Sequence, residues 1–96
     1  MKLIFEWDEN KACTNLKKHH VDFEEAKTVF SDPLLLTYPD DMHSEQEERA
    51  ISIGYSKKHR LLLVVHTEQY IRNGVTIIRM ISSRKATLQE RKYYES

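Results

Sequence analysis

The chain has 96 residues, 40% of them hydrophobic, with 15 Lys/Arg against 15 Asp/Glu; this predicts a single soluble domain over residues 1–96 with a thin core, burying about 60–65% of its unfolded surface. Cys13 is the lone cysteine, which excludes an internal disulfide and fits a reducing, cytoplasmic setting; the opening residues carry no long apolar run, so neither a signal peptide nor a membrane span is expected. The neutral net charge is unevenly divided, 5 Lys/Arg against 12 Asp/Glu in residues 1–48 and 10 against 3 in residues 49–96, which suggests either a basic face for a polyanion or two halves that pair with each other.

Residues 2–7 alternate, with Leu3, Phe5 and Trp7 on one side, as in a half-buried strand. Asp8 follows as an N-cap, with Glu9 in the first turn, so a helix is expected from about Glu9 to His19. Its apolar positions are Ala12, Cys13 and Leu16, while Lys11, Asn15 and Lys18 share another face. Asp22 and Glu25 resemble a capping box opening a second helix with Phe23, Ala26, Val29 and Phe30 on one side. Asp32-Pro33 ends it, because the residue before a proline is driven from the helical region. Leu34 to Tyr38 reads as a strand and the acidic stretch 40–48 as a loop.

Ile51, Ile53 and Tyr55 form a further alternating strand, followed by a turn at Lys57-Lys58-His59. Leu61 to Val65 is apolar on both sides, as expected of a central strand. Asn73-Gly74 predicts a tight turn into a last strand from Val75 to Ser82, and Thr87-Leu88-Gln89-Glu90 is a capping box opening a short C-terminal helix. The order is β-α-α-β-β-β-β-α. Short turns between successive strands point to an α+β fold of two layers, an antiparallel sheet with the N-terminal helices on one face.

Several segments together resemble the BrnT family. They are Phe5-Glu6-Trp7-Asp8 with Asn15 and Lys18-His19, then Val21 to Ala26, Val29 to Pro33, His43-Ser44-Glu45 with Glu47-Glu48-Arg49, Ile53-Gly54, and Val64-Val65-His66-Thr67-Glu68. The most specific run is Arg79 to Ala86 ahead of Glu90-Arg91 and Tyr93. The chain departs from the family at His20 and near Gln46, where glycine is usual, and at Gln69, where a basic residue is common. The resemblance implies a RelE-like fold and RNA cleavage that arrests translation. It also implies neutralisation by a DNA-binding BrnA-like antitoxin, repression of operator DNA through that antitoxin, and a dimer of heterodimers with it.

RNA cleavage without a metal or other cofactor needs a base for the 2′-hydroxyl proton, a cation for the phosphate and an acid for the leaving oxygen. Arg79 is the first candidate, because a charge in mid-strand must find a partner or face an open concavity. Its fork of donors suits the scissile phosphate, and the competing reading is a buried ion pair with a carboxylate such as Glu6. His66 and Glu68 share a phase on the neighbouring strand and suit base or acid roles; the alternatives are a satisfied core histidine and a surface charge. Lys18, Arg84 and Lys85 are candidates for the RNA backbone, with Arg91 and Lys92 behind them, although Arg84 equally suits a brace at the strand–helix junction. Tyr93 is a candidate to stack a base or give a proton, or else it packs the last helix. Cys13, His19, His20 and His43 match no standard metal spacing, so no metal site is expected, and Trp7 is expected in the core. The rival readings are a non-catalytic antitoxin-binding corepressor and a nucleic-acid-binding module that does not cut.

Overall fold

The computed structural model describes residues 2–43 and 47–96. The chain forms β1 (Lys2–Glu6), α1 (Glu9–His19), α2 (Phe23–Ala26), β2 (Leu36–Pro39), β3 (Ala50–Tyr55), β4 (Leu61–Ile71), β5 (Val75–Lys85) and α3 (Leu88–Glu95), the order expected from the sequence. A 3-10 turn at Lys27–Ser31 continues α2 up to Asp32-Pro33, and another follows β2 at Asp41–His43. Residues 44–46 of the expected loop, including Ser44-Glu45 of the family-like segment and Gln46, lie outside the described residues.

The local signals act largely as expected. Asp8 caps α1 by accepting the Asn10 and Lys11 N–H groups, and Asp22 caps α2 at Glu24 N. The capping box expected at Asp22–Glu25 does not form: Asp22 accepts the Glu24 N–H, and Glu25 turns inward to Arg60. Thr87 and Glu90 do form the full box at α3. His20, in place of glycine, ends α1 in the left-handed region at φ 58° and donates its N–H to Leu16 O. Asn73 and Gly74 both take positive φ in the β4–β5 turn, as such a hairpin demands.

The five strands lie in the order β1-β5-β4-β3-β2. From β2 to β5 the sheet is the expected antiparallel meander. β1 differs, joining parallel to β5 with Glu6 beside Arg79. The helical connection to β2 carries the chain away from β1, so β5 reaches it from the opposite side of the sheet. β2 is an edge strand, which tolerates Pro39 because its outward N–H has no partner to lose.

One face of the sheet buries Leu62, Val64, Ile78 and Met80 against Val21, Phe23, Ala26 and Val29. Trp7 meets Phe23 edge-on at 5.8 Å between centroids and belongs to this core. The other face holds a smaller cluster of Ile53, Leu61 and Leu63, covered by Tyr94 of α3 and by Tyr55 and Ala86. α3 thus lies opposite the N-terminal helices and covers only one end of its face. Over the rest, Lys2, Ile4 and Glu6 beside Val75, Ile77 and Arg79 and then Thr67, Gln69 and Ile71, no helix lies among the described residues.

α1 corrects one expectation. Cys13 is exposed and Leu16 is nearly half exposed. The helix is anchored instead by the buried Asn15, with Ala12 packed beside it on the core. A short helix at a sheet edge contacts little apolar surface, so a bidentate polar contact does more to hold it than its apolar stripe.

Candidate active site on the open face of the sheet

Register decides which side chains meet. Arg79 lies between Glu6 of β1 and Thr67 of β4. A bulge at Val65/His66 then shifts the pairing so that His66 opposes Met80. The extra residue is Ile81 of β5, so the bulge resets which β5 side chains face the helices, whereas His66 follows Leu62 and Val64 of β4 into the helix-covered core by plain alternation. His66 is fully buried. Its Nε2 is 2.7 Å from the Ser52 hydroxyl, which is in turn 2.8 Å from the Thr37 hydroxyl. Its ring meets Phe30 edge-on at 5.0 Å, and Nδ1 lies 4.0 Å from the Glu68 carboxylate. Burial drives its pKa down to about 4, so the imidazole is neutral near pH 7. The structure thus places this candidate base or acid in the core, on the side of the sheet away from Arg79.

Arg79 itself is open to solvent. Its Nη2 donates to the Glu47 carboxylate, with side-chain exposures of 45% and 40%. The alternative of a sealed pair with Glu6 is therefore not what forms. The surrounding hollow, about 300 Å³, is lined by Glu6, Glu47, Glu48, Thr67, Glu68, Gln69 and Ile77. It is more acidic than expected: among the described residues four carboxylates line it beside Arg79, and Arg49 of the adjoining hollow lies 3.7 Å from Glu47. Glu68 is exposed on this rim and also lines an adjoining hollow with Thr37, Tyr38, Glu48 and Arg49.

Further along β5 the surface turns basic. Lys11 and Lys18 of α1 flank a groove with Asn10, Thr14, His19, Ile81 and Ser82. Next to it is a hollow of about 370 Å³ floored by Ile51, Leu63 and Val65 and walled by His19, Tyr38, Arg84 and Glu90. Arg84 grips Glu90 with two bonds of 2.7 and 2.8 Å. The pairing holds the Glu90 carboxyl below its ordinary range and raises the guanidinium. Arg84 is therefore the brace between β5 and α3, with one face still on the hollow. Tyr93 is half exposed and meets Tyr38 edge-on at 5.9 Å. Arg91 donates to the Tyr55 hydroxyl at 3.0 Å. Lys85 and Lys92 are exposed.

Arg79 and Arg84 thus face away from the N-terminal helices, as α3 with Tyr93 does, and Lys18 sits on α1 beside β5. Glu68 reaches the Arg79 hollow from the phase of β4 that opposes Ile78, and His66 is buried in the core. Sequence reading missed Glu47 as the partner of Arg79, since an irregular loop has no periodicity to register it against a strand. It also missed the Asn15 clamp.

The model of the ribonuclease toxin BrnT of type II toxin–antitoxin systems matches residues 7–90. The chain belongs to the BrnT toxin family. BrnT toxins are ribonucleases of toxin–antitoxin pairs, in agreement with the resemblance drawn from the motifs. The crystal structure of the Brucella abortus ribonuclease toxin BrnT is similar in fold, with a TM-score of 0.60 at 24% identity over 91% of this chain and 99% of that one. No curated protein sequence matches the chain. Among the described residues, no helix of this BrnT-family chain is long and apolar enough to cross a membrane.

Proposed function

We propose that this chain, as a single toxin domain over residues 1–96, is an endoribonuclease that cuts RNA without a metal ion and so stops translation and growth in the cytoplasm. The family match supports the activity. The observation that carries the site is Arg79, an exposed guanidinium on the part of the sheet face that α3 leaves open, with carboxylates around it. A guanidinium there supplies the cation that the pentacovalent phosphate needs. Lys11 and Lys18 track the RNA backbone, with Lys85 and the solvent-facing side of Arg84 extending the path. Tyr93 beside Tyr38 offers a ring edge for a base, and Glu68 on the rim is an acid–base candidate.

The same reading makes a BrnA-like antitoxin the protein partner, with operator DNA reached only through it and a dimer of heterodimers as the assembly. Its support is the toxin–antitoxin family. The test is expression of the chain without antitoxin, with growth and RNA integrity followed together. Wild type is expected to arrest growth and fragment RNA, and Arg79→Ala to do neither while remaining folded. Intact RNA with wild type would favour a corepressor or a binding module instead.

A further inference from the structure

We propose that Glu47 is the general base of this RNA cleavage, acting on the nucleotide whose phosphate Arg79 holds; the assignment rests on the nuclease reading above. Among the described residues lining the hollow, Glu47 is the carboxylate in contact with the Arg79 guanidinium. Glu6 lies one strand over, and Glu68 follows the opposite phase of β4, opposing Ile78. The Arg79–Glu47 contact uses one of the five donors of a guanidinium. Donors therefore remain for a phosphate on the same exposed group.

A phosphate so held keeps its neighbouring 2′-oxygen close to the bound carboxylate, because phosphorus and that oxygen are joined by only four covalent bonds through the 3′-oxygen and the ribose. The pairing thus puts base and electrophilic centre on one guanidinium, which fixes their separation. Glu47 meets the other requirement as well, since its side chain is 40% exposed and RNA reaches it. His66, the sequence's nearest rival, is fully buried.

The step balances within the chain, RNA and water. Glu47 takes the 2′-hydroxyl proton as the 2′-oxygen bonds to phosphorus. The bond from phosphorus to the 5′-oxygen breaks, and that oxygen takes a proton from water. Glu47 returns its proton to the resulting hydroxide. The products are a 2′,3′-cyclic phosphate and a 5′-hydroxyl.

The test compares purified wild type, Glu47→Gln, Glu47→Asp and the remote control Glu24→Gln on one single-stranded RNA across pH. Binding of the all-deoxy oligonucleotide of the same sequence, which lacks the 2′-hydroxyl, is measured alongside. Glu47→Gln is expected to cut about 10²–10⁴-fold more slowly, to bind the deoxy strand at least as well as wild type, and to lose the acidic limb of the pH–rate profile. Glu47→Asp should recover part of the rate, and Glu24→Gln, on the far α2 surface, should cut normally. Glu47→Gln that cuts at the wild-type rate or faster overturns the proposal and reduces Glu47 to an occupant of Arg79. If Arg79→Ala is inactive in that case, the nuclease reading survives alone. A wild-type chain that cuts no RNA overturns both.

Discussion

Asn15 serves Ser83 as a strand would. Its Nδ2 donates to Ser83 O at 2.9 Å, and its Oδ1 accepts Ser83 N at 3.0 Å. β1 ends at Glu6, beside Arg79, so the edge of β5 beyond that point lacks a backbone neighbour and the amide of α1 fills the place. The same Nδ2 also donates to Val21 O at 3.0 Å. Asn15→Leu would strand these buried groups. At about 1 kcal/mol for each lost bond, the variant should lose roughly 3 kcal/mol and melt some 10–20 °C lower. Thermal unfolding followed by circular dichroism checks this; an unchanged melting temperature would show that the clamp contributes nothing.

Glu25 is a buried carboxylate that accepts from Arg60 Nε at 2.9 Å and Ser56 Oγ at 2.7 Å. The bond from Arg60 is the main force holding its pKa below the ordinary carboxylate range, against the pull of burial. A lowered folded pKa contributes stability above the ordinary range, and that stability is lost as pH falls through the folded value. Arg60→Ala should cost about 3–5 kcal/mol at pH 7, because it leaves the charge buried and unpaired. The deficit should shrink on acidification, as Glu25 then takes a proton. Urea unfolding of both proteins between pH 7 and pH 4 measures the difference, and a constant gap would contradict the mechanism.

His66 shifts stability in a separate window. Its pKa is about 4 folded against an ordinary 6.5, so the unfolded chain binds the proton first as pH falls. Stability should therefore drop between pH 6.5 and about 4, by an amount on the order of 3 kcal/mol. Replacing it by glutamine should flatten that window while leaving the part below it. The His66 ring resonance should stay in its neutral position at pH 5.5 by NMR. A midpoint near 6.5 would mean that the ring is open to water.

Lys18 lines the groove between α1 and β5 on the candidate RNA path. Lys18→Ala should leave folding unchanged and weaken single-stranded RNA binding at every sequence. The slope of log affinity against log salt should fall by about 0.7. A salt titration by fluorescence anisotropy gives this directly, and an unchanged slope would remove Lys18 from the interface.

Much of the fold was written in local chemistry. Asp8, Asp22, Asn73-Gly74 and the Thr87–Glu90 box mark their own starts and turns, because a cap or turn needs only residues a few positions apart. Alternation at Leu3, Phe5, Ile51 and Ile53 likewise assigns strands. Family membership was also legible, since its motifs are runs of neighbouring residues.

Tertiary structure alone decided what depends on register. The sequence contains no statement that β1 lies parallel to β5, so it does not place Glu6 beside Arg79. Nor does it show the bulge at Ile81 of β5, which sets Thr67 across from the arginine. Glu47 joined the site for the same reason: a loop residue 32 positions away has no period linking it to a strand. Backbone propensity acts over one turn or one pleat, whereas ion pairs across a sheet follow strand order. Strand order is settled by the packing of the whole core.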